Sequence, residues 1–595
     1  MVKMEKKKTQ IIYNGILILI LVLFAASVVY WGSRKEGYHV DELYSYGLAN
    51  SEYLPFMHFG EQSYSVKDWM NDYGTGDNIF VFGRNIFKDL KILKNSGWNI
   101  KNSEIYSNYQ IARANSNDTK TTTWVSGEEY VGYLTAQKGS LFNYASVYYN
   151  QRGDVHPPLF YLLLHTVSSF APGVFSKWFG ITVNALAILG AIFLLYKATK
   201  EHFGGPVIAL LVVATYAFSS ASVSTTVFLR MYALLTFMIV GMVYAHLAIL
   251  GDGWEIKKNT RILLIVFTIC GYLTHYYFVI FAIGIALVAL ISMLVEKKWK
   301  NALSYFLTMA ACAVCGIAVW PFSIKHVFFG YRGQESLSSM SAGSFVWDKS
   351  KVMLMYLMQN TVYSGLWILA VAGGILLAAL IWFFVKNKKE KKAESFLALK
   401  KILLLLVPCA LYFLTVPQMI PFLTDRYIMC IYPWVFVLFI AGLGFFIKNT
   451  GLPKTAGTVV CILLAVFLVI HTANLRRGVM YLYTGGQEND SVPENTDCIY
   501  ILEDNDWNES AEETLLLSKC REVAVTYKSN LPVLDGTYNP EPGSHLLLVF
   551  RTGLDEEAYS EAVFTNTLNP ENGCTFKEEQ RKEKEGHTLV LYSIE

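Results

Sequence analysis

The sequence predicts a polytopic α-helical membrane protein that carries a small soluble α/β domain at its C-terminus. Three observations predict it. The chain of 595 residues is 53% apolar and only 16% charged, too apolar for a soluble protein of this length. Apolar runs long enough to cross a bilayer, which takes about 20 residues in a helix, recur along most of it. The last 121 residues break the pattern, with 23 Asp and Glu against 10 Lys and Arg in a chain whose net charge is +3.

The first run, 11–31, follows "MVKMEKKKTQ" and continues into "GSRKEGYHVDE" without a small-residue cleavage pattern, so it reads as an uncleaved anchor. Further runs with spanning character are 174–196, 206–222, 228–250, 262–276, 277–295, 302–322, 366–385, 399–417, 426–447 and 457–474. With these eleven spans the basic segments "MEKKK", "YKATKEHF", "EIKKNTR", "EKKWKN", "KNKKEKK" and "KNTGLPK" all fall on one side, which the positive-inside bias makes the cytoplasm. A twelfth candidate, 157–170 in "HPPLFYLLLHTVSSF", is short, and counting it would invert two of those loops. It reads as a re-entrant or interfacial helix.

This topology leaves residues 32–156, the loop 323–365 and the segment 475–595 outside. The expected domains are a membrane module over 1–474, with 32–156 as its large first extracytoplasmic loop, and a soluble α/β domain over 475–595. In the first loop "RNIFKDLKILKNSGW" and "GEEYVGYLTAQ" read as surface helices. In the tail "DCIYILED", "EVAVTYK", "HLLLVFR" and "HTLVLYSIE" read as strands, while "ESAEETLLLSKC" and "DEEAYSEAVFTNTL" have helical spacing. Of nine cysteines, six lie in apolar runs, and Cys498, Cys520 and Cys574 lack metal-ligand spacing. There is no tandem repeat and no Gly-rich phosphate loop, which argues against an ATP-driven pump.

The residues suited to chemistry gather at the outer ends of spans. Asp41 and Glu42, in "GYHVDELYSYGLANS", follow the first span by about ten residues. A partly desolvated carboxylate there can take a proton from an attacking hydroxyl or amine, an effect of about 10² to 10⁴ in rate. The pair can also hold a divalent cation, or simply favour a helix N-terminus. "QRGDVHPPLFY" holds Asp154 and His156 ahead of a proline-started helix, where free N–H groups favour an anion; the plainer alternative is a helix start and nothing more. "SVSTTVFLRMYALL" sets Arg230 and Tyr232 in an apolar stretch. An arginine there costs about 3 kcal/mol at mid-bilayer, so it has a partner or snorkels to the headgroups. Its planar fork suits a phosphate better than an ammonium does. "YLTHYYF" (His275, Tyr276, Tyr277) and "LTDRYIMCIYP" (Asp425, Arg426, Tyr427) complete the set, although aromatic belts alone account for tyrosines at such positions. Asp425 and Arg426, being adjacent, are expected to serve different partners. Together these residues suggest a site for an anionic, lipid-linked substrate.

At these motifs the chain resembles the membrane glycosyltransferases of the GT-C fold, the class of the protein O-mannosyltransferases and the lipid A aminoarabinose transferases. The resemblance is carried by "VDELYS", "DVHPPLFYLLLH", "LRMYALL", "YLTHYYF" and "DRYIMCIYP", in that order, over about residues 10–450; the tail and the insert from Glu52 to Asn150 lie outside it. It implies a GT-C fold of about 11–13 transmembrane helices. It also implies a glycosyltransferase that passes a hexosyl or pentosyl unit from a polyprenyl-phosphate-linked donor to an extracytoplasmic acceptor: cell-wall polymer, lipid or protein. By similarity Asp41 is the general base, with Glu42 positioning the acceptor or a metal. Asp154 and His156 line the pocket, Arg230 and Arg426 hold the lipid phosphate together with His156, and Tyr232, His275, Tyr276 and Tyr427 form the substrate pocket. The aminoarabinose transferases carry a lysine where His156 stands, whereas the mannosyltransferases carry histidine. No cofactor is required by this reading. A divalent cation, Mg²⁺ or Mn²⁺, is left open, with Asp41 and Glu42 as its ligands if there is one.

The expected partners are the donor lipid, the acceptor and membrane lipids, with no nucleic acid. The expected location is a plasma membrane, favoured as bacterial, with the N-terminus cytoplasmic and the C-terminal domain outside. Two rivals remain. A polysaccharide ligase or polymerase would place its large loop late in the chain. A lipid-linked sugar transporter or flippase would want ionisable residues near mid-membrane or inverted repeats.

Overall fold

A computed structural model describes residues 2–51, 91, 94–95, 124–328, 330–341, 345–361, 392–449, 478–484, 491–504, 512–551, 553–567, 573–584 and 586–595. The expected spans 366–385 and 457–474 and the surface helix "RNIFKDLKILKNSGW" lie outside those residues or nearly so. The chain divides into two compact units: a helical one (1–34, 155–160 and 177–482) and a sheet-bearing one (35–154, 161–176 and 483–595).

The helical unit is a multi-pass membrane structure. Six of the described helical segments are long and apolar enough to cross: Lys7–Ser33, Lys177–Ala217, Tyr232–Gly251, Phe278–Val295, Trp299–Val319 and Leu397–Met419. Several keep an exposed apolar stripe at helical spacing, such as Ile283, Leu287 and Ile291, or Leu303, Phe306 and Val314. Such stripes cost little only against lipid. Lys177–Ala217 takes in most of two expected spans, 174–196 and 206–222, the second of which ends in the separate helix Ser220–Val227. They are separated at Lys200–Gly204, one widened turn followed by Gly205 at φ +81° and then Pro206. A left-handed glycine before a proline breaks the helix, and the basic "YKATKEHF" segment sits at that break.

Elsewhere some helices are short or depart from the apolar runs. Lys258–Tyr272, from the run 262–276, has 15 residues, or about 22 Å. The run 426–447 opens as a tight 3-10 segment, Asp425–Ile431, before the helix Tyr432–Asn449. Leu159–Ser168 has 10 residues, about half the thickness of a hydrocarbon core. Tyr232–Gly251 is buried nearly all round and packs on Lys177–Thr199 and Lys258–Tyr272. The turn before it, Phe228–Met231, is buried as well.

The sheet-bearing unit is built on six strands: β1 (Trp124–Ser126), β2 (Thr496–Leu502), β3 (Glu522–Tyr527), β4 (His545–Arg551), β5 (Phe576–Lys584) and β6 (His587–Ile594). Their order is β1-β3-β2-β4-β6-β5. The central trio β3-β2-β4 is parallel, and the outer pairs are antiparallel. All seven residues of β2 are buried, as a strand covered on both faces requires. Its side chains alternate between two cores: Ile499 and Ile501 join Leu546, Leu548 and Val590, while Cys498, Tyr500 and Leu502 join Leu516, Leu517 and Val523.

Four strands are those the apolar pattern predicts. β1 comes from the 32–156 region, so that region and the tail share one sheet: Trp124 pairs with Ala524, stacks on Tyr538 and donates from Nε1 to Thr537 Oγ1 (3.0 Å). The chain then turns into helix Gly127–Leu134, where a Cβ on Gly127 would lie 1.9 Å from the Cys520 carbonyl oxygen. Only glycine fits there. β5, "FKEEQRKEK", is an exposed edge whose charges discourage pairing with another chain.

Candidate functional site

In the helical unit the site is a cationic cluster on an aromatic wall. Helix Ser220–Val227, with the sequence "SASVSTTV", is buried throughout, and its small hydroxyl side chains bond back to carbonyls one turn earlier. It ends at Phe228, whose carbonyl accepts from the Arg230 backbone N–H at 2.7 Å. This tight turn places Arg230, 4% exposed, between two helices instead of along one. Arg230 Nη2 lies 3.4 Å from His156 Nε2. The His156 ring meets that of His275 at 5.7 Å, and His275 in turn lies 5.7 Å from Tyr232 and 5.0 Å from Tyr277. Tyr427 closes the wall, 6.1 Å from Tyr232 and 6.0 Å from Tyr277.

Arg426 enters from the segment Asp425–Ile431, with its guanidinium 5.3 Å from the Tyr427 ring, a cation–π distance. Arg230 and Arg426 both lie near His275. Its Nδ1 accepts from the Tyr277 backbone N–H (3.1 Å), while its Nε2 is buried with no hydrogen-bond partner among the described residues. A buried polar atom left open beside two arginines is suited to a ligand that brings its own oxygens. The Asp425 carboxylate accepts from Tyr481 Oη and from Asn360 Nδ2 (3.2 Å), and Asn360 also donates to Tyr432 Oη (3.1 Å).

Tyr276 does not share this wall. Its hydroxyl bonds His326 Nδ1 (2.8 Å) and accepts from Trp320 Nε1 (2.9 Å).

In the sheet-bearing unit the acidic pair opens helix Val40–Asn50, and the two carboxylates have separate environments. Glu42 Oε2 accepts from the His39 backbone N–H (2.7 Å), closing a capping box in which His39 Nδ1 accepts from the Asp41 N–H (3.1 Å). Glu42 also meets Lys35 Nζ through both oxygens, at 3.0 and 3.1 Å, with both side chains fully buried. The Lys35 ammonium lies 5.3 Å from the Tyr38 ring and 5.0 Å from the Tyr483 ring. Asp41 is 28% exposed, with Oδ2 3.5 Å from His39 Nδ1. Asp154 caps the end of helix Tyr144–Gly153 and accepts from Tyr161 Oη at 3.4 Å.

This arrangement does not suit a metal at Glu42, whose two oxygens already serve an ammonium and an amide. No group of three or more His, Cys, Asp or Glu residues able to hold a metal ion occurs among the described residues.

Sequence reasoning missed Lys35, Phe228, Asn360 and Tyr481. Lys35 stands seven residues before Glu42 in a basic stretch, a spacing no local rule pairs. Tyr481 and Asn360 reach Asp425 from 56 and 65 residues away, and nothing local marks them.

No protein-family model matches the chain, and no curated protein matches its sequence. Among solved structures the chain is similar to ArnT from Cupriavidus metallidurans in two states. With ArnT bound to undecaprenyl phosphate it shares 13% identity over 73% of this chain and 87% of that one, at a TM-score of 0.37. With apo ArnT it shares 11% over 78% and 93%, at 0.40.

Proposed function

We propose that the protein is a membrane glycosyltransferase that moves a sugar from a polyprenyl-phosphate-linked donor to an acceptor outside the cytoplasm. The observation that carries this reading is the gathering of Arg230, Arg426, His156 and His275 on one aromatic wall of the helical unit. Two guanidinium forks on one wall can each offer parallel hydrogen bonds to the oxygens of an anion. A phosphate with a lipid tail, at the end of a membrane helix bundle, is such an anion. That ArnT binds undecaprenyl phosphate supports a donor of this kind.

In the reaction the bond from the anomeric carbon to the phosphate oxygen breaks, and the electron pair stays on the phosphate. Arg230 and Arg426 stabilise the charge that grows there, with His156 beside them. The acceptor oxygen or nitrogen forms the new bond to the anomeric carbon and gives its proton to the Asp41 carboxylate. Asp41 is the acid suited to that task, being partly exposed, whereas Glu42 is committed to Lys35 and the helix cap. Asp154 is the alternative base. Tyr232, Tyr427 and His275 offer the sugar rings and hydrogen-bonding atoms. In this reading the basic loops are cytoplasmic, and the 32–156 region and the tail face outward.

The test is transfer of radiolabelled sugar from a panel of polyprenyl-phosphate sugars by the purified full chain in lipid, beside Asp41→Asn. Turnover in the wild type, reduced about 10²-fold or more in the variant with lipid binding kept, is the expected result. Equal activity in the variant moves the base to Asp154. Absence of transfer from every donor overturns the glycosyltransferase reading.

A further inference from the structure

We propose that Tyr481, on the segment that leads into the C-terminal domain, is a positioning residue that clamps together the two arginine-bearing turns of the cationic cluster. This rests on the lipid-phosphate reading given above.

Three contacts, all inside the helical unit, carry the inference. The Tyr481 ring stacks on Phe228 with centroids 4.1 Å apart and planes at 23°. The Tyr481 hydroxyl donates to Asp425 Oδ1. The backbone N–H of Met480 donates to Ser224 Oγ at 2.9 Å. Phe228 lies two residues before Arg230 and accepts from its backbone N–H, and Asp425 lies one residue before Arg426. One side chain therefore touches both turns that deliver a guanidinium.

The backbone shows that this placement is held by contacts and not by local preference. Tyr481 has φ +67°, a left-handed conformation that disfavours a side chain with a Cβ and persists only where surroundings impose it. Asp425 is 1% exposed, and its other oxygen is fixed by Asn360. A carboxylate buried and held from two sides fixes the start of the turn that carries Arg426.

A planar guanidinium rewards correct placement, because two parallel hydrogen bonds to a phosphate form only when both donors face it. Holding two such forks at a fixed separation prepays the ordering that binding would otherwise require. The clamp therefore acts on the phosphate end of the ligand and leaves its apolar tail unaffected.

The experiment measures affinity of the full chain in lipid nanodiscs for undecaprenyl phosphate and for the uncharged polyprenol, in wild type, Tyr481→Phe and Asp425→Asn. Tyr481→Phe keeps the stack and removes only the hydroxyl. The expected result is affinity for the phosphate weakened about tenfold in either variant, the scale of one lost charge-linked hydrogen bond, with polyprenol affinity unchanged. The double variant should lose no more than the larger single loss, because both act through one link. Undiminished phosphate affinity in a folded Tyr481→Phe protein overturns the clamp while leaving the proposed function standing. Equal weakening for phosphate and polyprenol also overturns it, since that marks general damage to the fold. Wild-type protein that binds the two lipids alike overturns the clamp and the anion site together.

Discussion

The two units treat buried charge in opposite ways. In the sheet-bearing unit charges are closed in pairs of opposite sign: Lys35 with Glu42, Arg521 with Asp497 through two parallel hydrogen bonds (2.9 and 2.7 Å), and Glu513 with Lys584 and His587. In the helical unit two arginines and two histidines share one wall, and the carboxylate among them, Asp425, is directed to a tyrosine and an asparagine. Pairs of opposite charge complete a fold. Two guanidinium groups beside one histidine are the arrangement that the proposed anion site would use.

The comparison breaks most readily at Arg230. Its guanidinium lies beside His156 in a turn already fixed by backbone hydrogen bonds, so Arg230→Met should leave the apparent Tm of the full chain nearly unchanged. Transfer from a polyprenyl-phosphate sugar should fall by about 10² to 10³, the range for losing one donor to a developing oxyanion. A large drop in Tm with proportionate loss of activity would place Arg230 with the structural charges of the other unit.

The reverse effect is expected at Lys35. Removing one partner of a fully buried pair strands the other, which costs about 3 to 5 kcal/mol. Lys35→Met should therefore lower the apparent Tm strongly, and the double variant Lys35→Met with Glu42→Gln should recover much of it. Thermal unfolding in lipid reads both. If the double variant is no more stable than the single one, the pair is not what holds helix Val40–Asn50 at its start.

What the sequence reveals divides along the same line. Several of the spans and four of the six strands are legible because burying apolar surface imposes periodicity, as in "TDCIYIL" and "HLLLVFR". β1 and β5 are not. "WVS" is three residues long, and "FKEEQRKEK" is an edge whose charges hide its extended backbone. The run 228–250 is correct as a helix from Tyr232, but the turn at Phe228–Met231 escapes notice because buried turns made of Phe, Leu and Met look like spans. Within the site, His156, Arg230, Tyr232, His275, Arg426 and Tyr427 stand out as polar or aromatic residues at the ends of apolar runs, and the structure gathers them. Tyr276 has the same local signature and faces His326 and Trp320 instead. A run of three residues cannot reveal which of two adjacent side chains turns inward. Partners far along the chain, such as Tyr481 for Asp425, are set by packing alone.

The smallest effect expected is one of pH, in the sheet-bearing unit. Burial raises the pKa of Glu513, but hydrogen bonds from His587 and Lys584 and their charges outweigh it, so its carboxyl is held below its ordinary value of 4.5. A group whose pKa is depressed on folding stabilises the fold at pH values above its unfolded pKa, and that contribution disappears as pH falls through the folded value. The sheet should thus lose stability below about pH 4.5, with no corresponding change between pH 6 and 8 from this group. Glu513→Gln should unfold more easily at neutral pH and show a flatter acid limb, read as the apparent Tm against pH. If the acid limb keeps its slope in the variant, Glu513 does not control it.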